Sequence, residues 1–368
     1  MQFHLPGLRW AIYFLGLFPT TALLAQVPPS ASAPSVSPVP LSQTVLLAPP
    51  PSEGPIVIQA GFQLLDINAI EDQAETFEFS GILTLRWKDP RQAFDPAVEG
   101  VKVKFYQGNY QFNELSPGWY PEVVLLNVAG MLEKNGVLFR IEPDGTSTLV
   151  EGINAVAKAR LKLRRYPFDR QQLNAVFSVL GYSDREVVME AMPQADLDLA
   201  RIRVPQWELQ KVASRVGKGV ASLQGSGPPS TYIVEFDLRR RFMFVMRLVV
   251  LPLFLVVALS WSVFWMDRSS IGDRMSVSFV SLLTVVAYQI VLGDILPRIA
   301  YLTIINLFLN FSFILVCATI LVNLVVGEFD RSGQTERGNL LDLRCRRIFP
   351  FAYVALIILA FIMGFVFF

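Results

Sequence analysis

The stretch DRMSVSFVSLLTVVAYQIVLGD, Asp273 to Asp294, decides the architecture. It is mostly apolar and, at about 1.5 Å of rise per residue, long enough to cross a bilayer core of roughly 30 Å, so it reads as a transmembrane helix. It is not apolar all round. Steps of three and four residues link Asp273, Ser276, Val280, Leu283, Ala287, Ile290 and Asp294 in a single stripe. A carboxylate, a small hydroxyl, four apolar rungs and a second carboxylate suit the wall of a water-filled axis, around which each residue would recur as a ring. A packed helix with the two aspartates marking its ends in the headgroups fits the same period, and Asp273 alone would suit a helix N-terminus through the macrodipole.

The rest of the chain agrees with a membrane protein that also carries a folded soluble part. Of its 368 residues 52% are hydrophobic, the formal net charge is +1, and the mean hydropathy of +0.43 is high for an ordinary soluble protein. No basic surplus points to nucleic acid. The single histidine, His4, falls in a leader-like segment, which leaves no imidazole for a Ser/His triad or a His-ligated metal in the mature chain. Cys317 and Cys345 sit inside and just before apolar spans, so neither staples the soluble part, and free thiols are the reading for both.

In chain order, residues 1–25 read as a signal peptide, with Arg9 ahead of a short apolar run broken by Pro19. Residues 26–55, rich in Pro, Ser and Ala, read as a disordered linker. From 56 to 238 the pattern is that of strands. Phe77, Phe79, Leu83, Leu85 and Trp87 alternate with Glu78, Ser80, Thr84 and Arg86, and Val101, Val103 and Phe105 alternate with lysines. Glu142-Pro143-Asp144-Gly145 is a turn. Short alternating strands over such a length indicate an antiparallel, immunoglobulin-like β-sandwich, with Lys211 to Thr231 expected as a long mobile hairpin. Residues 239–368 hold four helices, near 242–266, 273–294, 300–326 and 347–368, with a short cytoplasmic loop at 327–346. Arg268, Arg274, Arg331, Arg337, Arg344, Arg346 and Arg347 then fall inside and the sandwich outside, at a cell (inner) membrane. Pro252 is expected to kink the first span.

On this frame the sequence resembles a known family. Arg165-Tyr166-Pro167-Phe168-Asp169-Arg170-Gln171-Gln172 is similar to the signature loop of the Cys-loop, or pentameric ligand-gated, ion channels. Trp87-Lys88-Asp89-Pro90-Arg91, Trp119-Tyr120-Pro121 with Asn127, Ser260 with Phe264-Trp265, and Leu296-Pro297-Arg298 match further blocks in the same order. Ala159 and Leu173 stand where the family's cysteines would be, and the loop before the fourth span is short, as in the prokaryotic members. Ala74-Glu75-Thr76-Phe77, with Asp72 just before it, and Phe94-Asp95-Pro96 resemble a proton-gated bacterial member, whereas Thr284 to Tyr288 and Ile295 to Arg298 resemble an amine-gated one.

The resemblance implies a homopentamer, embedded in membrane lipids and conducting inorganic cations, with no catalysis, cofactor, metal or nucleic-acid partner. Asp273 and Ser276 would select cations, and Leu283, Ala287 and Ile290 would form a hydrophobic gate. Asp72, Asp169 and Arg240 would make a charge-assisted junction between sandwich and membrane, with Tyr166, Pro167 and Phe168 resting on the loop that holds Pro297 and Arg298; a purely structural ion-pair cluster is the alternative. The inter-subunit ligand box would fall on Leu126, Leu180, Tyr182 and Tyr232, where too few aromatics stand for a cation box. Glu75 is then expected to sense protons, with Asp72 as the neighbouring charge that makes its protonation easier. A small amine or other small molecule as agonist, or a non-conducting receptor of the same fold, are the alternatives.

Overall fold

The computed structural model describes residues 48–108, 118–193, 199–202, 204–219, 227–267, 271–295 and 301–366. The signal-peptide expectation, most of the linker and the Leu296-Pro297-Arg298 block lie outside them. Of the linker, Ala48 to Pro55 carries no helix or strand, but it is tied down at its start: the Ala48 carbonyl accepts from Arg91 at 2.9 Å.

Among the described residues, ten strands form two facing sheets. They are β1 (Ile56–Glu71), β2 (Thr76–Lys88), β3 (Lys104–Gly108), β4 (Val123–Leu125), β5 (Val128–Ile141), β6 (Thr146–Lys158), β7 (Arg170–Val179), β8 (Val187–Ala191), β9 (Trp207–Lys218) and β10 (Ser230–Arg240). One sheet runs β3-β5-β6-β2-β1-β8 and the other β4-β7-β10-β9. Inward residues of β2 interdigitate with those of the opposite sheet, because alternation places every second side chain on one face. Phe62, Phe77, Phe79, Phe177 and Phe236 fill the centre with ring centroids 5.3 to 6.5 Å apart. The β5–β6 turn closes as its residues dictate, with Gly145 at φ +83°, where a Cβ would run into the Asp89 carbonyl.

Three strand expectations need correction. The sandwich is not wholly antiparallel, since β1 pairs with β8 in parallel. β3 does not bury its apolar face: Phe105 is 59% exposed, because β3 is the outer edge of its sheet. Lys211 to Lys218 belongs to β9 and pairs with β10, so only residues 219–229 connect the two strands, and 220–226 lie outside the described residues.

Among the described residues four helices follow, all long and apolar enough to cross a membrane: α1 (Met243–Trp265), α2 (Ile271–Ile295), α3 (Ile304–Arg331) and α4 (Thr335–Val366). Where a kink is expected at Pro252, the helix carries a π-turn at Met246–Val250, which ends two residues before the one that lacks an N–H. α3 starts at a Thr303 cap whose side chain accepts from the Asn306 N–H. The expected loop 327–346 is largely helical. Only Ser332 to Gln334 turn the chain, with Gly333 at φ +72°, and α4 then begins well before 347. Hydropathy missed this first part of α4 because its residues are charged, yet Asp342 and Cys345 are buried against neighbouring helices.

Candidate functional site

α2 sorts its faces in the way the stripe demands. Asp273, Ser276, Val280, Leu283, Ala287 and Ile290 are all exposed on the protomer, whereas Arg274, Ser278, Ser281, Val285 and Leu292 are buried. Asp294 belongs to the helix, but its side chain lies outside the described set. Val280, Leu283 and Ile290 are 63%, 68% and 64% exposed, an apolar row that the described residues of its own chain leave uncovered. The buried face is held by polar contacts. Arg274 Nη2 donates to Asp342 on α4 at 2.9 Å, and Asn323 Nδ2 on α3 donates to Ser278 Oγ at 3.0 Å. Ser276, Ser278, Ser281 and Thr284 each donate to the carbonyl four residues back, so none leaves an unsatisfied hydrogen in an apolar helix. The hydroxyls of Ser276 and Thr284 therefore present only lone pairs outward.

At the end of the sandwich nearest the helices, Arg240 closes β10 and is almost fully buried. Its Nη1 and Nη2 donate to the two oxygens of Asp72 at 2.8 and 2.9 Å, and its Nε and Nη2 donate to Asp169 at 2.8 and 3.3 Å. The guanidinium stacks between Trp207, 4.0 Å from the ring centre, and Tyr166, at 4.7 Å. Burial works against its charge, but the two carboxylates hold its pKa above the ordinary arginine value. Burial likewise pushes the Tyr166 hydroxyl up to about 12, so that ring is a neutral platform. Gln171 ties Asp169 Oδ2 at 2.6 Å to the backbone of Lys162. Phe168 packs on Phe242, Phe361 and Phe365. From the segment after α2, the Tyr301 hydroxyl oxygen accepts from the Leu163 N–H at 3.3 Å, and the Arg164 carbonyl accepts from the Ile304 N–H at 3.4 Å. The junction expected from Asp72, Asp169 and Arg240 is thus assembled in one place. Trp207, Gln171 and Tyr301 complete it.

Two profiles of the neurotransmitter-gated ion channels account for most of the chain: the ligand-binding domain matches residues 45–242 and the transmembrane region residues 249–347. The chain belongs to the family of neurotransmitter-gated ion channels. It is 26% identical over 328 residues to a proton-gated ion channel of Gloeobacter violaceus, covering 89% of each chain. It is also 24% identical over 263 residues to a pH-sensitive chloride channel of Anopheles gambiae, covering 68% of this chain and 42% of that one. The protein is therefore a ligand-gated channel of the pentameric family, not an enzyme, and a multi-pass membrane protein with an extracellular domain.

The expected ligand box fares unevenly. Leu126 and Leu180 are exposed, and Tyr182 is half-buried with its hydroxyl accepting from Trp119 Nε1 at 3.1 Å. Tyr232 is 1% exposed and faces the core, so it cannot contact a ligand; its position in β10 has inward parity. The proton-site expectation changes too. Glu75 sits in the β1–β2 turn at φ +51° and is partly exposed. Asp72 is committed to Arg240 through two hydrogen bonds and shares that one guanidinium with Asp169.

A carboxylate that sequence reasoning passed over is better placed to hold a proton. Glu151 points into the sandwich from β6, 4% exposed, with Oε2 buried and unbonded and Oε1 3.3 Å from Lys134 Nζ on β5. Burial raises its pKa above the ordinary 4.5, Lys134 opposes the shift, and Glu122 adds to it. Asp89, equally buried, goes the other way: burial opposes its charge, but hydrogen bonds from Arg91 and Gln92 keep its pKa low. The parity of Leu149, Glu151, Ile153 and Ala155 was the available signal, since it places one carboxylate in an inward apolar row.

Proposed function

We propose that this protein is a homopentameric cation channel of the inner membrane, opened by extracellular protons, with its exposed α2 stripe lining the pore. The observation that carries the reading is the stripe itself. Five copies around an axis would cover the exposed row of Val280, Leu283, Ala287 and Ile290 and turn it into a constriction that excludes water when narrow. Asp273 would form the inner carboxylate ring. Arg274, next to it in the chain, is withdrawn onto Asp342, so no positive ring competes. The outward lone pairs of Ser276 favour cations in the same direction.

The name of the Gloeobacter relative and the buried carboxylate Glu151 support protons as the agonist. Protons open a channel only when the open state binds them more tightly than the closed one. Glu151, buried with one oxygen on Lys134 and the other unbonded, is the carboxylate we assign to proton binding, and Glu75 contributes from the turn beside the Arg240 junction. That junction passes strain from sandwich to helices through its contact network.

The experiment is current recording from the purified protein in planar bilayers, with sodium chloride gradients and external pH stepped from about 8 to about 4, across the ordinary carboxylate range. Acid-evoked current reversing near the sodium potential is the expected result. Current following the chloride gradient, as the name of the Anopheles relative would suggest, contradicts the cation assignment. Silence in acid with opening by a small amine contradicts proton gating.

A further inference from the structure

Lys134 reaches Glu151 from a part of β5 that is held differently from the rest of its sheet. β3 pairs only with Val137 to Ile141, so among the described residues Val128 to Gly136 have β6 as their one strand neighbour. That pairing is itself interrupted on both sides of Lys134, by register shifts between Val128 and Leu132 and between Asn135 and Val137, and Gly136 turns the chain at φ +69°. From Val128 to Gly136 every residue but Leu132 is exposed. A stretch with so few buried contacts is where local rearrangement costs least. Glu151, across from it, stands beside the buried Leu83 of β2, and the charged and titratable groups that act on it or feel it are Lys134, Glu122 and Tyr120. Of these Lys134 alone favours the ionised carboxylate, through the 3.3 Å contact with Oε1, while Oε2 stays buried and unbonded.

We propose that Lys134 is a clamp that holds the first half of β5 onto β6 in the closed channel, and that protonation of Glu151 releases it and lets that stretch shift as the channel opens. The inference rests on Glu151 as the proton site proposed above and adds what makes that site differ between the two gating states. Such a difference is obligatory, because a proton bound equally well by both states would shift nothing. The charges fix its direction. At neutral pH the carboxylate keeps the ammonium in place, and once neutral it has no charge with which to hold it. In the open state Glu151 then has burial and Glu122 acting against its ionised form and no cation to offset them, so it binds the proton more tightly there, as opening by acid requires.

The test is current recording from the full chain in planar bilayers as external pH is stepped from about 8 to about 4. In Lys134→Met the clamp is absent at every pH, so resting current at the alkaline end should rise roughly fivefold or more, the population change that one partly buried ion pair supplies, and the increment evoked by acid should shrink by about half or more. Lys134→Arg, which keeps a cation within reach, should stay near the wild type. Glu151→Gln should resemble Lys134→Met, and the double variant should add nothing to either. The double variant leaves no buried charge without its partner, so a folded channel is available for the comparison. If Lys134 acts on Glu151 equally in both states, Lys134→Met instead moves half-activation to milder acid with the full increment kept and the resting current unchanged, which overturns the clamp and leaves Glu151 as the sensor. An effect of Lys134→Met that persists in the Glu151→Gln background also overturns it. A wild type that acid does not open, or acid gating untouched by Glu151→Gln, removes the proton site itself and the clamp with it.

Discussion

In β2 the buried residues are Phe77, Phe79, Leu83, Leu85 and Trp87, and the polar ones between them face outward; in α2 the buried residues include Arg274, Ser278 and Ser281, and Val280, Leu283 and Ile290 face outward. Water sorted the first element, and removal of apolar area from water is enough to explain it. Inside a bilayer that force between helices disappears. Side-chain hydrogen bonds and close packing then hold α2 to its neighbours, which frees its apolar row for a surface made only when subunits meet. The two regions are one chain under two solvents, and that difference gives the predictions their order.

The largest effect should come from Leu283→Ser, which removes apolar area from every subunit of the ring at once. At about 1.5–3 kcal/mol per fully buried leucine, the closed state loses several kcal/mol. Bilayer recordings should show resting current at neutral pH, together with opening at milder acid. Ser281→Leu, on the buried face, should instead reduce the yield of assembled protein. Reversal of these two outcomes would break the comparison.

Arg240→Gln comes next. It leaves Asp72 and Asp169 partly or wholly buried without their cation, and losing one partner of a buried pair typically costs about 3–5 kcal/mol. Melting of the sandwich should fall by several degrees and acid-evoked current should disappear, while Arg240→Lys, lacking the fork, recovers only part of each. Within the bundle, Asp342→Asn strands Arg274, whose Nε already lacks a partner. It should cost less than Arg240→Gln, and Arg274→Met with Asp342→Leu should be nearly neutral by thermal unfolding. Asp273→Asn should leave stability alone and lower the sodium-to-chloride permeability ratio by roughly tenfold or less, read from the reversal potential.

The smallest shifts concern pH. The pKa of Glu151 is raised in the folded chain, so its contribution to stability is fully present below the ordinary carboxylate value of 4.5 and is lost as pH rises through the raised value. Glu151→Gln imitates the protonated form and should flatten both the loss of stability and the pH dependence of the current over that window. Glu75→Gln should move the half-activating pH by less, because Glu75 is partly exposed in its turn whereas Glu151 is buried. A larger shift from Glu75 than from Glu151 would return the proton site to the β1–β2 turn.

Much of this was legible in the sequence for a physical reason. The α2 stripe is periodic and bracketed by charges, and β2 alternates cleanly, so both periods survive as pattern. Asp72, Asp169 and Arg240 were legible only through motif, and the structure then joined them. Trp207 was not, because a tryptophan that stacks on a guanidinium alternates in β9 like any core residue. Lys134 and Glu151 were not legible as a pair either, since they meet only once the β5–β6 register is known. The charged first part of α4 looked like a loop because hydropathy registers lipid contact and takes no account of a buried ion pair.

The central claim is that the exposed face of α2 lines the ion path and the buried face does not. Cysteine placed singly at Leu283, Ile290 and Val285, in a chain with Cys317 and Cys345 replaced by serine, tests it when a small charged thiol reagent is applied during acid activation. Rapid, lasting change of current at Leu283→Cys and Ile290→Cys, with Val285→Cys unaffected, is the expected result. Modification at Val285→Cys with the other two silent would contradict it.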